Sequence, residues 1–147
     1  MSNPYLNAGP LNRVRCHVVV PATPTLNATP QNMGKQFARI EFEGDFTTQI
    51  EVGTGIVNSP EPYVMATITC GLLRSQALAS NWLTQAQSST LLGDVSIYAD
   101  TSVFQTLTMN DSAIRMIDPG AYDGTDPIVR LVLRGTVNIN NSLWSPT

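Results

Sequence analysis

The stretch IVRLVLRGTVNI, residues 128–139, decides the fold more than any other part of the chain. Its apolar side chains recur at every second position. One face carries Val129, Leu131, Leu133, Val137 and Ile139, and the other carries Arg130, Arg134 and Thr136. Successive side chains of a β-strand point to opposite faces, so this alternation predicts a strand with one buried face.

The same alternation recurs along the chain, interrupted once by a helical period. Further predicted strands cover residues 13–20, 36–43, 47–52, 63–70, 95–100, 102–109 and 112–117, the last two separated by an Asn110–Asp111 turn. Residues 72–88 form the predicted helix, with Thr69 as its candidate cap and Leu72, Ala79, Leu83 and Ala86 on one stripe. Strands on both sides of one helix predict a mainly β fold of the α+β class. We expect an antiparallel β-barrel or β-sandwich with one flanking α-helix.

Residues 36–43 and 47–52 are predicted to pair as a hairpin. Gly44 and Asp45 supply residues typical of a turn between them. The polar face of this hairpin would carry Glu41, Glu43 and Glu51, which makes it the most acidic surface that the pattern locates.

Two segments lack a regular period. Residues 21–34, PATPTLNATPQNMG, are rich in Pro, Thr and Asn, and we expect an extended loop that orders against a partner. Residues 140–147 form a C-terminal tail whose Trp144 is expected to dock on its own domain or on a neighbour. Neither segment resembles a linker, so a single domain is predicted over 1–147.

The composition is polar but poor in charge, and this excludes several classes of function. Charged residues make up 13% of the chain, eight basic against eleven acidic, for a net charge of −3. A basic nucleic-acid binder and a charged coiled coil are both excluded. No secretory signal or membrane span is expected, because the longest aliphatic run is Val18–Val20.

No residue pattern indicates a catalytic, cofactor or metal site. His17 is the single histidine, and no nucleophile elbow is present. Gly53-Thr54-Gly55 lacks the spacing of a dinucleotide fingerprint and is expected to be a bend or bulge. Asp118, Asp123 and Asp126 lie in ordinary turn pairs, and Cys16 and Cys70 are expected to be buried free thiols. The chain is therefore not expected to be an enzyme, and no cofactor is expected.

Four arginines lie on the polar faces of the first and last predicted strands: Arg13, Arg15, Arg130 and Arg134. They would form a modest basic stripe if those two strands were neighbours. Two interpretations remain open. The arginines are solvated, or they form ion pairs between subunits with acids such as Glu41 and Glu51.

Taken together, these features resemble those of the major tail tube proteins of contractile-tailed bacteriophages. The likeness rests on the chain length, the single helix between two sets of strands, DVSIYADTS at 94–102 and DPIVRLVLRGTVNIN at 126–140. The Pro/Thr/Asn-rich segment and the acidic hairpin also fit this family. The hairpin turn is tighter than the stacking loops of the family often are.

The resemblance implies a structural role in a virion tail, assembled in the cytoplasm of the host bacterium. Six copies would join edge to edge into a ring, and rings would stack into a tube inside the sheath. The implied partners are further copies of the chain, the sheath, baseplate and terminator proteins, and DNA that passes without specific binding. Glu41, Glu43 and Glu51 would face the lumen. Subunit or inter-ring contacts would come from Arg13, Arg15, Gly44, Asp45, Arg130, Arg134 and Trp144.

Two other functions remain open at this stage. One is a different ring of a phage tail, either the tail terminator or a baseplate component. The other is a small β-sandwich binding module, with carbohydrate as the ligand class considered. That function would need an exposed aromatic platform built from Tyr63, Tyr98, Tyr122 and Trp144.

Overall fold

A computed structural model describes residues 4–12, 15–99, 101 and 103–143. The described strands are β1 (His17–Val19), β2 (Met33–Glu43), β3 (Thr47–Val52), β4 (Gly55–Pro60), β5 (Tyr63–Leu73), β6 (Leu91–Tyr98), β7 (Leu107–Asp118) and β8 (Ile128–Asn138). A single helix among these residues, α1 (Ala77–Ser88), lies between β5 and β6. The prediction of a mainly β fold with one flanking helix is confirmed.

Six strands form one curled antiparallel sheet with the shape of a half-barrel, in the order β1-β6-β7-β8-β5-β2. The decisive strand β8 lies inside this sheet between β7 and β5. Its pairing with β5 runs from Tyr63 opposite Asn138 to Leu73 opposite Ile128. Strands β3 and β4 pair only with each other and form a separate two-stranded sheet.

The hydrophobic core lies between one face of the six-stranded sheet and the helix. The alternating residues predicted for the buried face of β8 are confirmed, since Val129, Leu131, Leu133 and Val137 are all buried. The helix contributes Leu78, Ala79 and Trp82, and Trp82 has no exposed surface. Large side chains from both layers therefore leave water together, which is the main favourable term in folding.

The helix starts five residues later than the sequence predicted. Leu72 belongs to β5, where it lies opposite Val129, and it is fully buried. Thr69 also lies in β5, and the residue at the N-cap position is Gln76. Of the predicted apolar stripe, Leu83 is exposed. The prediction was wrong at this end because Leu72 and Leu73 are apolar residues that fit either the end of a long strand or the first turn of a helix.

The predicted pairing of 36–43 with 47–52 is wrong. Strand β2 pairs with β5, and β3 pairs with β4 through the connection Gly53–Thr54. Gly44 and Asp45 instead belong to the link between the two sheets. Local alternation cannot choose between these pairings. Strand β2 pairs with the distant strand β5 because the apolar face of β2 then extends the core. Ala38 and Ile40 on this face pack against the buried core residues.

The predicted turn at Asn110–Asp111 is an irregularity inside one strand. Strand β7 continues from Leu107 to Asp118, and its register with β8 shifts between Asn110 and Ala113. Asp111 adopts a positive φ of 50°, and the buried Ser112 hydroxyl donates to the Met109 carbonyl oxygen at 2.9 Å. This geometry is that of a bulge, which lets a strand bend without ending.

The Pro/Thr/Asn-rich segment orders on its own domain, whereas the sequence led us to expect ordering on a partner. It contains two short 3₁₀ turns, Pro24–Leu26 and Pro30–Asn32, and Leu26 is buried beside the helix. Val18 and Ala28 exchange backbone hydrogen bonds of 3.0 and 2.8 Å. The segment therefore covers the outer edge of β1, while β2 forms the other edge of the sheet.

Candidate assembly surfaces

The second face of the sheet, opposite the helix, carries an ion pair that crosses a whole strand. The Nε atom of Arg134 on β8 donates to Oε2 of Glu43 on β2 at 2.8 Å. Strand β5 lies between these two strands, so the side chains span two inter-strand spacings, roughly 10 Å. Predicted contact residue Arg134 therefore has a partner within its own chain.

The charge of Glu43 is favoured by this contact. The hydrogen bond from Arg134 lowers the pKa of Glu43 from its ordinary value of 4.5, and the positive charge of Arg134 acts in the same direction. Partial desolvation opposes the shift. Glu43 is thus held ionised and is not a candidate proton donor at neutral pH.

Glu41, the second predicted lumen residue, shares the polar face of β2 with Glu43. Its Oε1 atom lies 2.8 Å from the Nη2 atom of Arg39, and both side chains are largely exposed. An exposed pair of this kind contributes little to stability. Each acid of this face is therefore balanced by an arginine of the same chain.

Glu51, the third predicted lumen residue, is not on this face. It lies on β3, which with β4 forms a hairpin outside the main sheet. Glu51 stands opposite Ile56, near the turn that joins the two strands. The structure thus brings Glu41 and Glu43 together and separates them from Glu51, because β3 does not pair with β2.

The β3–β4 hairpin is exposed along its whole length, and one of its faces is apolar. Register places Ile50 opposite Val57 and puts Val52 on the same face. Ile50 and Val57 are each 50% exposed, and Val52 is 47% exposed. A two-stranded hairpin with no covering layer is at best marginally stable in water. This apolar face is the feature that the sequence analysis missed, although the alternation at 47–52 and the Gly53–Thr54 connection signalled it.

Asn140 fixes the base of this hairpin. Its amide nitrogen donates to the Glu61 carbonyl oxygen at 2.8 Å and to the Phe46 carbonyl oxygen at 3.3 Å. These carbonyls belong to the two legs of the hairpin. Asn140 itself has a positive φ of 53°, which asparagine tolerates better than most residues. The rings of Phe42 and Phe46 add an edge-to-face contact at 5.3 Å.

An open pocket of about 230 Å³ lies at the opposite edge of the sheet, where β1 and β6 meet. Its lining includes Arg15, His17, Tyr98, Phe104, Thr101 and Thr106. The rings of His17 and Tyr98 meet edge to face with centroids 6.3 Å apart. The pocket thus combines a guanidinium group with aromatic surface, and it contains the predicted contact residue Arg15.

The basic stripe considered from the sequence does not form. Strand β1 is separated from β8 by β6 and β7, so Arg15 is remote from Arg130 and Arg134. Arg130 is exposed and lies opposite Asp118 of β7. Predicted residues Arg13 and Trp144 lie outside the described residues.

The loop between β7 and β8 lies at the end of the sheet opposite the β3–β4 hairpin, and it is held by Arg74. The Arg74 guanidinium donates to the carbonyl oxygens of Pro119 and Ala121 and lies 5.1 Å from the ring centroid of Tyr122. Tyr122 is nevertheless 83% exposed. Hydrogen bonds from the backbone and the side chain of Thr125 lower the pKa of Asp123. This loop is hydrogen-bonded to Arg74 and carries acidic and aromatic side chains.

Within the described ranges, no three His, Cys, Asp or Glu side chains are grouped so that they could hold a metal ion. No helix in the same ranges has the length and hydropathy needed to cross a bilayer. The surfaces described above are the candidates for function.

Comparison with known proteins gives one likeness in fold. No protein-family model matches the chain, and no curated protein matches it. The chain is similar to the anti-feeding prophage cap, a structure from cryo-electron microscopy described as the tube terminating cap. The TM-score is 0.50 and the sequence identity 14%, and the match covers 93% of this chain and 97% of that chain. At this identity the likeness concerns the fold.

Proposed function

We propose that the chain is a structural subunit of a contractile phage tail or a tail-like particle, and that it forms the ring that terminates the tail tube. The observation that carries this proposal is the shared fold with a tube terminating cap over nearly the full length of both chains. The resemblance found from the sequence independently points to contractile tails. The likeness to the cap favours a tail terminator over the building block of the tube. The terminator was one of the alternatives that the sequence left open.

The two unlike edges of the sheet support a ring of identical copies. One edge is covered by residues 21–32, and the other is the long strand β2. An uncovered edge strand invites contact with another chain, and in a ring the β2 edge of each copy would be covered by the next copy. The family resemblance implies six copies. The ring carries out assembly and has no catalytic role.

The polar face of the sheet suits the inside of such a ring. Its acids Glu41 and Glu43 are each paired with an arginine of the same chain, so neither carboxylate presents an uncompensated charge to DNA that passes through. In this proposal the ring sits at the end of the tube within the virion or particle. It contacts tube and sheath subunits, and DNA crosses it without specific binding.

Electron microscopy tests the assignment as a terminator. The purified chain should form discrete rings that do not stack further, and these rings should bind the ends of tubes made by the cognate tube protein. In the source particle, removal of the chain should broaden the distribution of tail lengths, because nothing then stops growth at the tube end. Tail lengths unchanged by this removal would contradict the proposal.

The tube building block is the second candidate, favoured by the sequence resemblance. It predicts unlimited stacking of the purified chain into long tubes, whereas a terminator forms single or paired rings. The binding-module alternative loses support. Tyr122 lies at the end of the sheet opposite Tyr63 and Tyr98, so these three rings form no common platform.

A further inference from the structure

We propose that the tip of the β3–β4 hairpin of one copy inserts into the Arg15 pocket of the next copy. The Arg15 pocket is the cavity lined by Arg15, His17, Tyr98 and Phe104. This inference rests on the proposed ring and adds to it the side chains that join neighbouring subunits.

The first argument is the state of the hairpin itself. Its apolar residues Ile50, Val52 and Val57 share one face and are about half exposed in the isolated chain. Asn140 holds the hairpin base against the main sheet, so the hairpin is presented in a fixed direction. A preorganised apolar projection loses little conformational entropy when a partner covers it.

The second argument is placement. The hairpin follows the end of β2, at one lateral edge of the sheet. The pocket lies beside β1, at the other lateral edge. The strand register shows which strand ends lie together. Tyr63 at the start of β5 lies opposite Asn138 at the end of β8, and at this same end of the sheet His17 of β1 lies opposite Tyr98 of β6. Projection and pocket are thus at the same end of the strands and on opposite sides, as a head-to-tail ring requires.

The third argument is chemical complementarity. Between Thr47 and Pro60 the sequence has a single charged residue, Glu51, which lies beside Val52 near the tip. Neither Glu51 nor Arg15 forms an ion pair with another described residue of its own chain. The tip therefore offers a carboxylate and an aliphatic side chain, and the pocket offers a guanidinium group and aromatic rings. Phe104 is 60% exposed and is available to pack against Val52.

Charge exchange tests the contact. Arg15→Glu and Glu51→Arg should each weaken self-association about tenfold or more, as measured by analytical ultracentrifugation, because like charges then face each other. An equimolar mixture of the two variants should regain assembly, since each hairpin then meets a pocket of opposite charge. The double variant should also regain it. Circular dichroism melts of both variants check that the fold is intact.

Photo-crosslinking gives an independent result. Val52 replaced by p-benzoylphenylalanine should crosslink to residues 15–17 or 98–106 of another molecule, identified in a mixture of ¹⁵N-labelled and unlabelled copies. The same probe at Leu91, which is exposed at the other end of β6, should not reach these residues. The unlabelled and labelled copies separate crosslinks between molecules from those within one molecule.

Several outcomes would overturn the inference. These are a monomeric wild-type chain at every concentration, no rescue in the mixture, or crosslinks from Val52 to a tube protein or to any other surface. Rings that crosslink as expected but do not stop tube growth would contradict the proposed terminator and leave this contact standing. Rings that stop tube growth but crosslink elsewhere would contradict this contact and leave the proposed terminator standing.

Discussion

The ion pair between Glu43 and Arg134 joins β2 and β8, two strands that are not neighbours in the sheet. Arg134 lowers the pKa of Glu43. We expect an NMR titration of Glu43 to have its midpoint below 4.5, and we expect Arg134→Gln to return the midpoint towards 4.5. Arg130→Gln is the matched control and should leave the midpoint unchanged. Because the folded-state pKa is lowered, this contribution to stability is present at neutral pH and is lost as the pH falls through the pKa.

Cys70 gives a second prediction at the residue scale. Burial, aided by the nearby Cys16 thiol, raises its pKa from 9.0 to about 12. The unfolded thiol ionises first as the pH rises, so the free energy of unfolding should fall between pH 9 and about 12, by roughly 1.4 kcal/mol per pH unit from this group. Urea denaturation at pH 8 and pH 10.5 measures this fall. Cys70→Ala should show a smaller pH dependence, and an equal one would contradict the assignment.

At the scale of elements, the close contact of β8 with the β7 bulge depends on Gly135. A Cβ atom at this position would lie 2.7 Å from Met109 Cγ and 2.8 Å from the backbone oxygen of Asn110. Gly135→Ala should therefore lower the free energy of unfolding by about 1–3 kcal/mol. Gly53→Ala, with no heavy atom within 4 Å of the new Cβ, should change it by less than about 0.5 kcal/mol. Equal effects of the two substitutions in urea denaturation would show that the bulge does not crowd Gly135.

The β3–β4 hairpin is an element whose apolar face lies outside the core, and in the proposed contact this face meets a neighbouring copy. Ile50→Thr with Val57→Thr keeps β-branched residues, so the stability of the monomer should change by less than about 0.5 kcal/mol while self-association weakens about tenfold. The core substitution Leu133→Ala is the contrasting control and should cost about 2–5 kcal/mol of unfolding free energy. Thermal melts and sedimentation of the same samples separate the two effects. Unaltered sedimentation of the hairpin variant would show that its apolar face makes no contact.

At the scale of the whole molecule, the two lateral edges and the two ends of the sheet are all different. The β1 edge carries the covering segment and the Arg15 pocket, and the β2 edge leads into the hairpin. The loop around Tyr122 lies at the end of the sheet opposite the hairpin. A subunit with four unlike surfaces suits a ring that binds a tube on one side only, and this polarity is what the proposed terminator needs.

The sequence predicted the fold class and most strands, because alternation of apolar residues is a local signal. It located the buried face of β8, the alternation of β5 and the two buried cysteines. It singled out Arg15 as a candidate contact residue and Glu41, Glu43 and Glu51 as candidate lumen residues. It missed Asn140 as the anchor of the hairpin, because its two acceptors are carbonyls 79 and 94 residues away in the chain.

The sequence by itself determined which residues of β5 and β8 face inward, that one helix interrupts the strands, and that charge is scarce. These properties follow from local spacing and composition. Only the tertiary structure decided that β2 pairs with β5, that β3 and β4 project as an uncovered hairpin, and that Arg15 and Arg134 lie far apart. Pairing partners are chosen by the burial of whole faces across long stretches of chain, and residues 47–52 alternate equally well against either neighbour.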